Sequence, residues 1–207
     1  MWIFYLRIFL SIAILVSIIV LFAKKIIHKN YLKILIIAVA ISFVVCINAF
    51  PLEQIFLKAN SVEELFIQMV PYGNVQNIVY GKDSCMLTTK VNSSSITHYY
   101  FLKIEDGYKP LGDKDVICVE KTSPGNGLYQ IYNVSGTQDY YLTGQYIGQN
   151  DIEISDNLGS EFSLLQEDTM ESSAFSYFYF VEAYLNSYSQ DYSLVVNGHE
   201  IIFGENK

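Results

Sequence analysis

Two apolar runs joined by a short lysine-bearing loop fill the first fifty residues, and they constrain everything that follows. Trp2 to Ala23 is 22 residues with one charge, Arg7. At about 1.5 Å per residue it spans a hydrocarbon core of about 30 Å. Ile34 to Phe50 is 17 residues without a charge. That is the short end of the spanning range, and Tyr31, Leu32 and a snorkelling Lys33 extend it. The expectation is an N-terminal transmembrane hairpin at 1–50, with helices at about 2–23 and 32–50 and a loop at 24–31.

The loop region carries Lys24, Lys25, Lys29 and Lys33 and no acid. Lysine-rich loops stay cytoplasmic, so the expected protein is multi-pass in the cell membrane with both termini extracytoplasmic. Arg7, Trp2 and Tyr5 suit the outer interface. The first run ends in Lys24-Lys25 with no small-residue cleavage site, which argues against a removable signal. Val45 is branched where a lipoprotein signal before Cys46 asks for a small residue. Ala38, Ser42 and Cys46 recur every four residues, as do Ala13 and Ser17, and small residues at that spacing let membrane helices approach closely. They are the expected helix-packing positions, toward the other helix or toward a membrane partner.

Charge divides the chain at the same place. All 21 acidic residues lie at Glu53 or later, and the 8 lysines there leave residues 51–207 at −13 with no arginine. Such a surface repels nucleic acid and anionic headgroups, which excludes those partners beyond the bilayer that holds the hairpin. It also lacks the side chain best suited to clamping phosphates and carboxylates.

After a connector at Pro51 to Asn60, Ser61-Val62-Glu63-Glu64 reads as a capping box opening a helix of about two turns. Leu65, Phe66 and Met69 share its inner face, and Pro71 and Gly73 stop it. From Val75 the period becomes two. Val75–Tyr80, Cys85–Val91, Ile96–Ile104 and Val116–Glu120 read as strands, with turns at Gly81-Lys82-Asp83, Asn92 to Ser95 and Asp106-Gly107. Residues 51–122 are therefore expected to form a short helix on a small antiparallel sheet. Ile96, His98, Tyr100, Leu102 and Ile104 line one face of their strand.

The turn-rich Thr122 to Gly127 is the expected internal boundary. Beyond it, Leu128–Val134, Asp139–Ile147, Asp151–Ser155, Glu161–Leu165, Phe175–Leu185, Tyr192–Val196 and Glu200–Phe203 read as seven short strands. Over 123–207 they predict a β-sandwich of immunoglobulin-like outline. Asn197-Gly198 is the strongest hairpin signal, and Gln166 to Ser173 reads as an exposed acidic loop.

Ser61-Val62-Glu63-Glu64-Leu65-Phe66, Val79-Tyr80-Gly81-Lys82-Asp83-Ser84, Asp106-Gly107-Tyr108-Lys109 and Val196-Asn197-Gly198-His199-Glu200-Ile201 together resemble a pattern in small membrane-anchored extracytoplasmic proteins of low-GC Gram-positive bacteria. The resemblance covers most of residues 60–203 and implies a location, the outer face of the cytoplasmic membrane. It carries no reaction with it. High Ile, Asn, Lys and Tyr usage with a single arginine agrees with an AT-rich genome.

No catalytic or cofactor motif stands out. Cys85 and Cys118 lie in neighbouring expected strands and are either a disulfide or two small buried thiols. A sortase-like transpeptidase needs an arginine beside its Cys and His, and the outer part has none. There is no Gly-x-Ser-x-Gly, and His98 and His199 sit in strand and hairpin patterns as half-buried or surface groups. Asp113 with Asp115, and Asp151 with Glu153 and Asp156, lack the calcium-loop spacing and read as solvated edge charges, with no metal site.

Seventeen tyrosines against one tryptophan are the compositional anomaly. Phe175, Tyr177, Phe178, Tyr179, Phe180 and Tyr184 crowd one strand. That strand is either central and buried on both faces, or it offers Tyr177, Tyr179 and Tyr184 to a peptide, glycan or partner domain. The function expected is a membrane-anchored binding or accessory module of unknown ligand, partnering an envelope transporter or sensor. The alternatives are an envelope-acting hydrolase or transpeptidase, and a structural membrane subunit.

Overall fold

A computed structural model of the chain describes residues 2–23, 30–49, 57–70, 72–92, 95–148, 151–169 and 176–203. The lysine loop at 24–29, Phe50, the connector at 51–56, Pro71, the turn tip at 93–94 and residues 170–175 lie outside the described residues. The protein is mainly β, with antiparallel sheets and, among the described residues, three α-helices.

One compact unit holds α1 (Trp2–Ala23) and α2 (Asn30–Ala49), which pack on each other. Within α1, Tyr5–Ala23 is long and apolar enough to cross a membrane by length and composition, whereas the corresponding described part of α2, Leu32–Cys46, is shorter. Ser11, Ile14 and Ile18 of α1 and Ala40, Ile41 and Val44 of α2 line a crevice of about 310 Å³ between the two helices. Ala38, Ser42 and Cys46, the small residues expected to pack on the other helix or on a membrane partner, are all exposed and do not line this crevice. Ser42 Oγ donates to the Ala38 carbonyl at 2.9 Å and Ser17 Oγ to the Ala13 carbonyl at 2.7 Å, so these hydroxyls are satisfied within their own helices.

The short helix α3 (Val62–Met69) starts where the cap predicts. Ser61 Oγ accepts from the Glu64 amide at 3.1 Å, satisfying a first-turn donor, and Glu63 and Glu64 face the positive helix end. Val62, Leu65 and Phe66 are buried.

The strands follow as β1 (Val75–Tyr80), β2 (Ser84–Asn92), β3 (Ser95–Ile104), β4 (Gly107–Pro110), β5 (Val116–Thr122), β6 (Gly127–Val134), β7 (Tyr140–Gly148), β8 (Ile154–Asp156), β9 (Phe162–Thr169), β10 (Ser176–Leu185), β11 (Ser193–Val196) and β12 (His199–Ile202). They form a four-stranded meander β1-β2-β3-β4, a five-stranded sheet β5-β6-β7-β10-β9 and a three-stranded sheet β12-β11-β8. The five-stranded sheet is the middle layer. On one face Ile131, Leu142, Val181 and Leu185 join Leu194, Val196 and Ile201 of the three-stranded sheet in the main core. On the other, Val134, Tyr141 and Tyr184 pack with Met86, Val79 and Tyr100 of the meander.

Three expectations are corrected here. The turn at 123–126 joins β5 to β6 inside one sheet, so the expected boundary falls within a hairpin. The β5-β6-β7 meander departs from the seven-strand, constant-type immunoglobulin outline, in which neither sheet contains three consecutive strands. The acidic stretch is no loop over 166–169, because β9 continues through Gln166↔Tyr179 and Asp168↔Tyr177.

Candidate functional site

Between the meander and the middle sheet the apolar packing is interrupted by two facing polar rows. Register places Asn77 opposite Thr88 and Thr88 opposite His98 on β1, β2 and β3. On the middle sheet it aligns Ser163, Glu182, Thr143 and Gln130 across β9, β10, β7 and β6. Period-two alternation turns each row to one face, so the two rows meet.

At their centre lies Glu182, whose side chain is fully buried. Asn77 Nδ2 donates to its Oε2 at 2.8 Å, Thr88 Oγ1 donates to its Oε1, and His98 Nε2 sits 3.2 Å from Oε1. Burial works against the charge, but the bonds from His98, Thr88 and Asn77 outweigh it and hold this carboxyl below its ordinary range. Glu182 is thus an ionised group held wholly by its own chain. His98 has 20% of its side chain exposed and lines a recess.

β3 is the margin of the meander at this level, since β4 pairs only with Phe101 to Ile104. The middle sheet extends beyond it and leaves a recess of about 160 Å³ lined by Ile96, His98, Leu128, Gln130, Thr143, Gly144 and Gln145. Its polar groups are two amides, a hydroxyl and an imidazole. Among the described residues no serine or cysteine nucleophile lines it. What the recess can do is hydrogen-bond an uncharged group and, through an imidazole oriented by a carboxylate, accept a proton.

A second buried carboxylate is structural. Asp139 accepts from the Lys82 and Asp83 amides at 3.2 and 2.8 Å, from Ser84 Oγ at 2.6 Å and from Tyr184 OH at 3.0 Å. It ties the β1–β2 turn to the middle sheet. A Cβ on Gly81 would stand 2.5 Å from Tyr141 Oη and 2.8 Å from an Asp139 oxygen, which accounts for the glycine in that turn.

The tyrosines singled out from sequence do not form one surface. Tyr179 is 3% exposed in the main core, with Tyr177 packed partly buried on the same side. Tyr184 points the other way, onto Asp139. β10 is therefore a strand covered on both faces. The cysteines are free thiols. Cys85 on β2 is buried, and burial with the nearby Glu63 and Asp139 pushes its thiol up to about 12. Cys118 on β5 is exposed. They stand on different sheets and not on neighbouring strands.

Of the acidic pairs, Asp115 accepts from the Gly112 amide at 2.9 Å and Asp156 from the Leu158 and Ser160 amides at 3.1 and 2.9 Å, both serving turns. Among the described residues no three His, Cys, Asp or Glu side chains converge on one point. His199 is exposed on β12.

Sequence reasoning passed over Glu182, Asp139, Asn77 and both glutamines. A signal existed for Glu182, the single charge inside the aromatic run Tyr177 to Leu185. No protein-family model matches the chain, and no curated protein matches it at a significant level.

Proposed function

We propose that this chain is a membrane-anchored extracytoplasmic binding or accessory module, held by an α1–α2 hairpin with both termini outside. Its β-rich part offers the His98 recess to an envelope component or to a membrane partner such as a transporter or sensor subunit. The observation that carries the reading is the recess, whose lining polar groups are His98, Gln130, Thr143 and Gln145, while the Glu182 carboxylate behind them is spent on Asn77, Thr88 and His98. Its volume of about 160 Å³ is below the usual range of about 300–1,000 Å³ for small-molecule sites, so it suits one ring or end group bearing hydroxyls or an amide. The apolar Tyr5–Ala23 and the lysines between the helices support the anchoring and its direction. So does the resemblance to small extracytoplasmic proteins of Gram-positive bacteria.

Equilibrium dialysis of the full-length protein in detergent micelles against N-acetylglucosamine and N-acetylalanine amide tests this. Saturable uptake is expected for the wild type and for Lys58→Ala, and not for the Gln130→Ala/Gln145→Ala double variant. Uptake that the double variant leaves unchanged, or no uptake of either probe, rejects it.

Two further readings have specific support. The Glu182–His98 pair is the arrangement of an oriented general base, which suits an envelope-acting hydrolase that activates water. Ester turnover lost in His98→Ala would establish that reading. The outward Ala38, Ser42 and Cys46 stripe suits a structural membrane subunit.

A further inference from the structure

The sandwich of five- and three-stranded sheets has, at one end, a larger cavity unrelated to the His98 recess. It measures about 360 Å³, and its walls include Pro124, Tyr129, Tyr146, Val196 and Ile201, so its lining is predominantly apolar. That volume falls in the range of ordinary ligand pockets. Two features of its walls bear on what would fill it.

The first is an orphaned hydroxyl. The ring of Tyr129 lies flat against the backbone of Gly127 and Gly144, where added Cβ atoms would come within 2.6 and 2.4 Å of it. This carries the hydroxyl toward the Gly127 end of β6, where the cavity begins. Tyr129 is 1% exposed, and its hydroxyl has no hydrogen-bond partner among the described residues. Burial pushes this phenol up to about 12, so it stays protonated and able to donate. A buried donor without a partner is costly, and a ligand acceptor would relieve that cost.

The second is an open strand edge. β12 supplies His199, Glu200 and Ile201 to the wall and is the outer strand of its sheet, pairing with β11 alone among the described residues. Asn197 and Gly198 both have positive φ, the two-residue hairpin turn that makes Val196 and His199 a mutually bonded pair. Alternation then bonds Ile201 to Leu194 and turns the amide and carbonyl of Glu200 and Ile202 outward. An exposed row of such groups is a template for another strand.

We propose that this end of the sandwich is a docking site for an extended peptide segment of a partner protein, which adds to the edge of β12 and seats one side chain in the cavity against Tyr129. The backbone supplies the pairing and the cavity selects the side chain, one with an apolar body and a terminal acceptor such as tyrosine, asparagine or glutamine. Glu200 on this wall, and a net charge of −13 over residues 51–207, favour a segment with lysine or arginine over one with acids.

The test uses full-length protein in nanodiscs and a panel of capped octapeptides with Tyr, Gln, Leu or Gly at the centre and Lys or Glu flanks. Tyr- and Gln-centred peptides with Lys flanks are expected to bind best. Methylating alternate peptide amides should weaken them about tenfold. Tyr129→Phe should weaken the Tyr- and Gln-centred peptides several-fold and leave the Leu-centred one unchanged, without lowering the protein's own stability. Binding that survives amide methylation, binding indifferent to Tyr129→Phe, no binding by any octapeptide, or displacement by free N-acetylglucosamine overturns the proposal.

Discussion

Glu182 shows how much one buried carboxylate can organise. Its three partners lie 105, 94 and 84 positions away along the chain, so a single side chain joins β1, β2, β3 and β10. Its carboxyl is held below the ordinary value of about 4.3. The stability it contributes is therefore complete above that ordinary value and is lost as pH falls through the lower folded value. Glu182→Gln should lower stability at neutral pH by about 2–4 kcal/mol and lack that acid-side loss. Urea unfolding of both proteins at stepped pH checks this, and parallel pH profiles would contradict it. The lone charge in Tyr177 to Leu185 was readable as an anomaly, but its partners were not, because pairing over such separations is a product of the fold. The same holds for Cys85 and Cys118. Their strands were expected to neighbour each other in one sheet, yet β4 ends the meander and β5 begins another sheet.

At the level of elements, the positions read best were those under local backbone control. Ser61 caps α3, and Asn197-Gly198 turns β11 into β12, each for reasons contained in three or four residues. Gly107 adds a tertiary demand to a local one. Its φ is +122°, and a Cβ there would stand 2.2 Å from the Ala59 carbonyl oxygen, where Ala59 and Tyr108 exchange backbone bonds of 3.2 and 2.8 Å. Gly107→Ala should cost at least about 2 kcal/mol, against about 1 kcal/mol for Gly125→Ala, which has φ +53° and open space. Thermal unfolding of the two variants side by side checks the order. β4, which Gly107 opens, was not anticipated. Four residues ending in Pro110 give no alternation to read, and the strand exists because β3 offers Ile104 to Phe101 as partners. β9 ran longer than expected for a related reason, since β10 pairs with it through Asp168 and Thr169 whatever their polarity.

For the whole molecule, the decisive test is orientation. Protease added to intact protoplasts should remove the part after Leu57, while inverted vesicles should protect it, because the lysine loop is expected to hold the turn inside. The opposite pattern would defeat both the anchoring and the compartment of the proposed partners. The layered β architecture does not depend on that outcome. It follows from a middle sheet with two largely apolar faces, and β10, with aromatic side chains on both sides, fits only where both faces are covered.

The sequence alone settled what is local: an apolar run long enough to span, strands with period two, the helix cap and the glycine turns, since chain geometry within a few residues dictates each of them. Only the tertiary structure decided how the strands divide among three sheets, that the tyrosines of β10 are interior, and that Glu182 meets His98 beside a recess. Those outcomes rest on pairing between segments many tens of residues apart, where closure entropy and the burial of each face choose among partners that local pattern leaves equivalent.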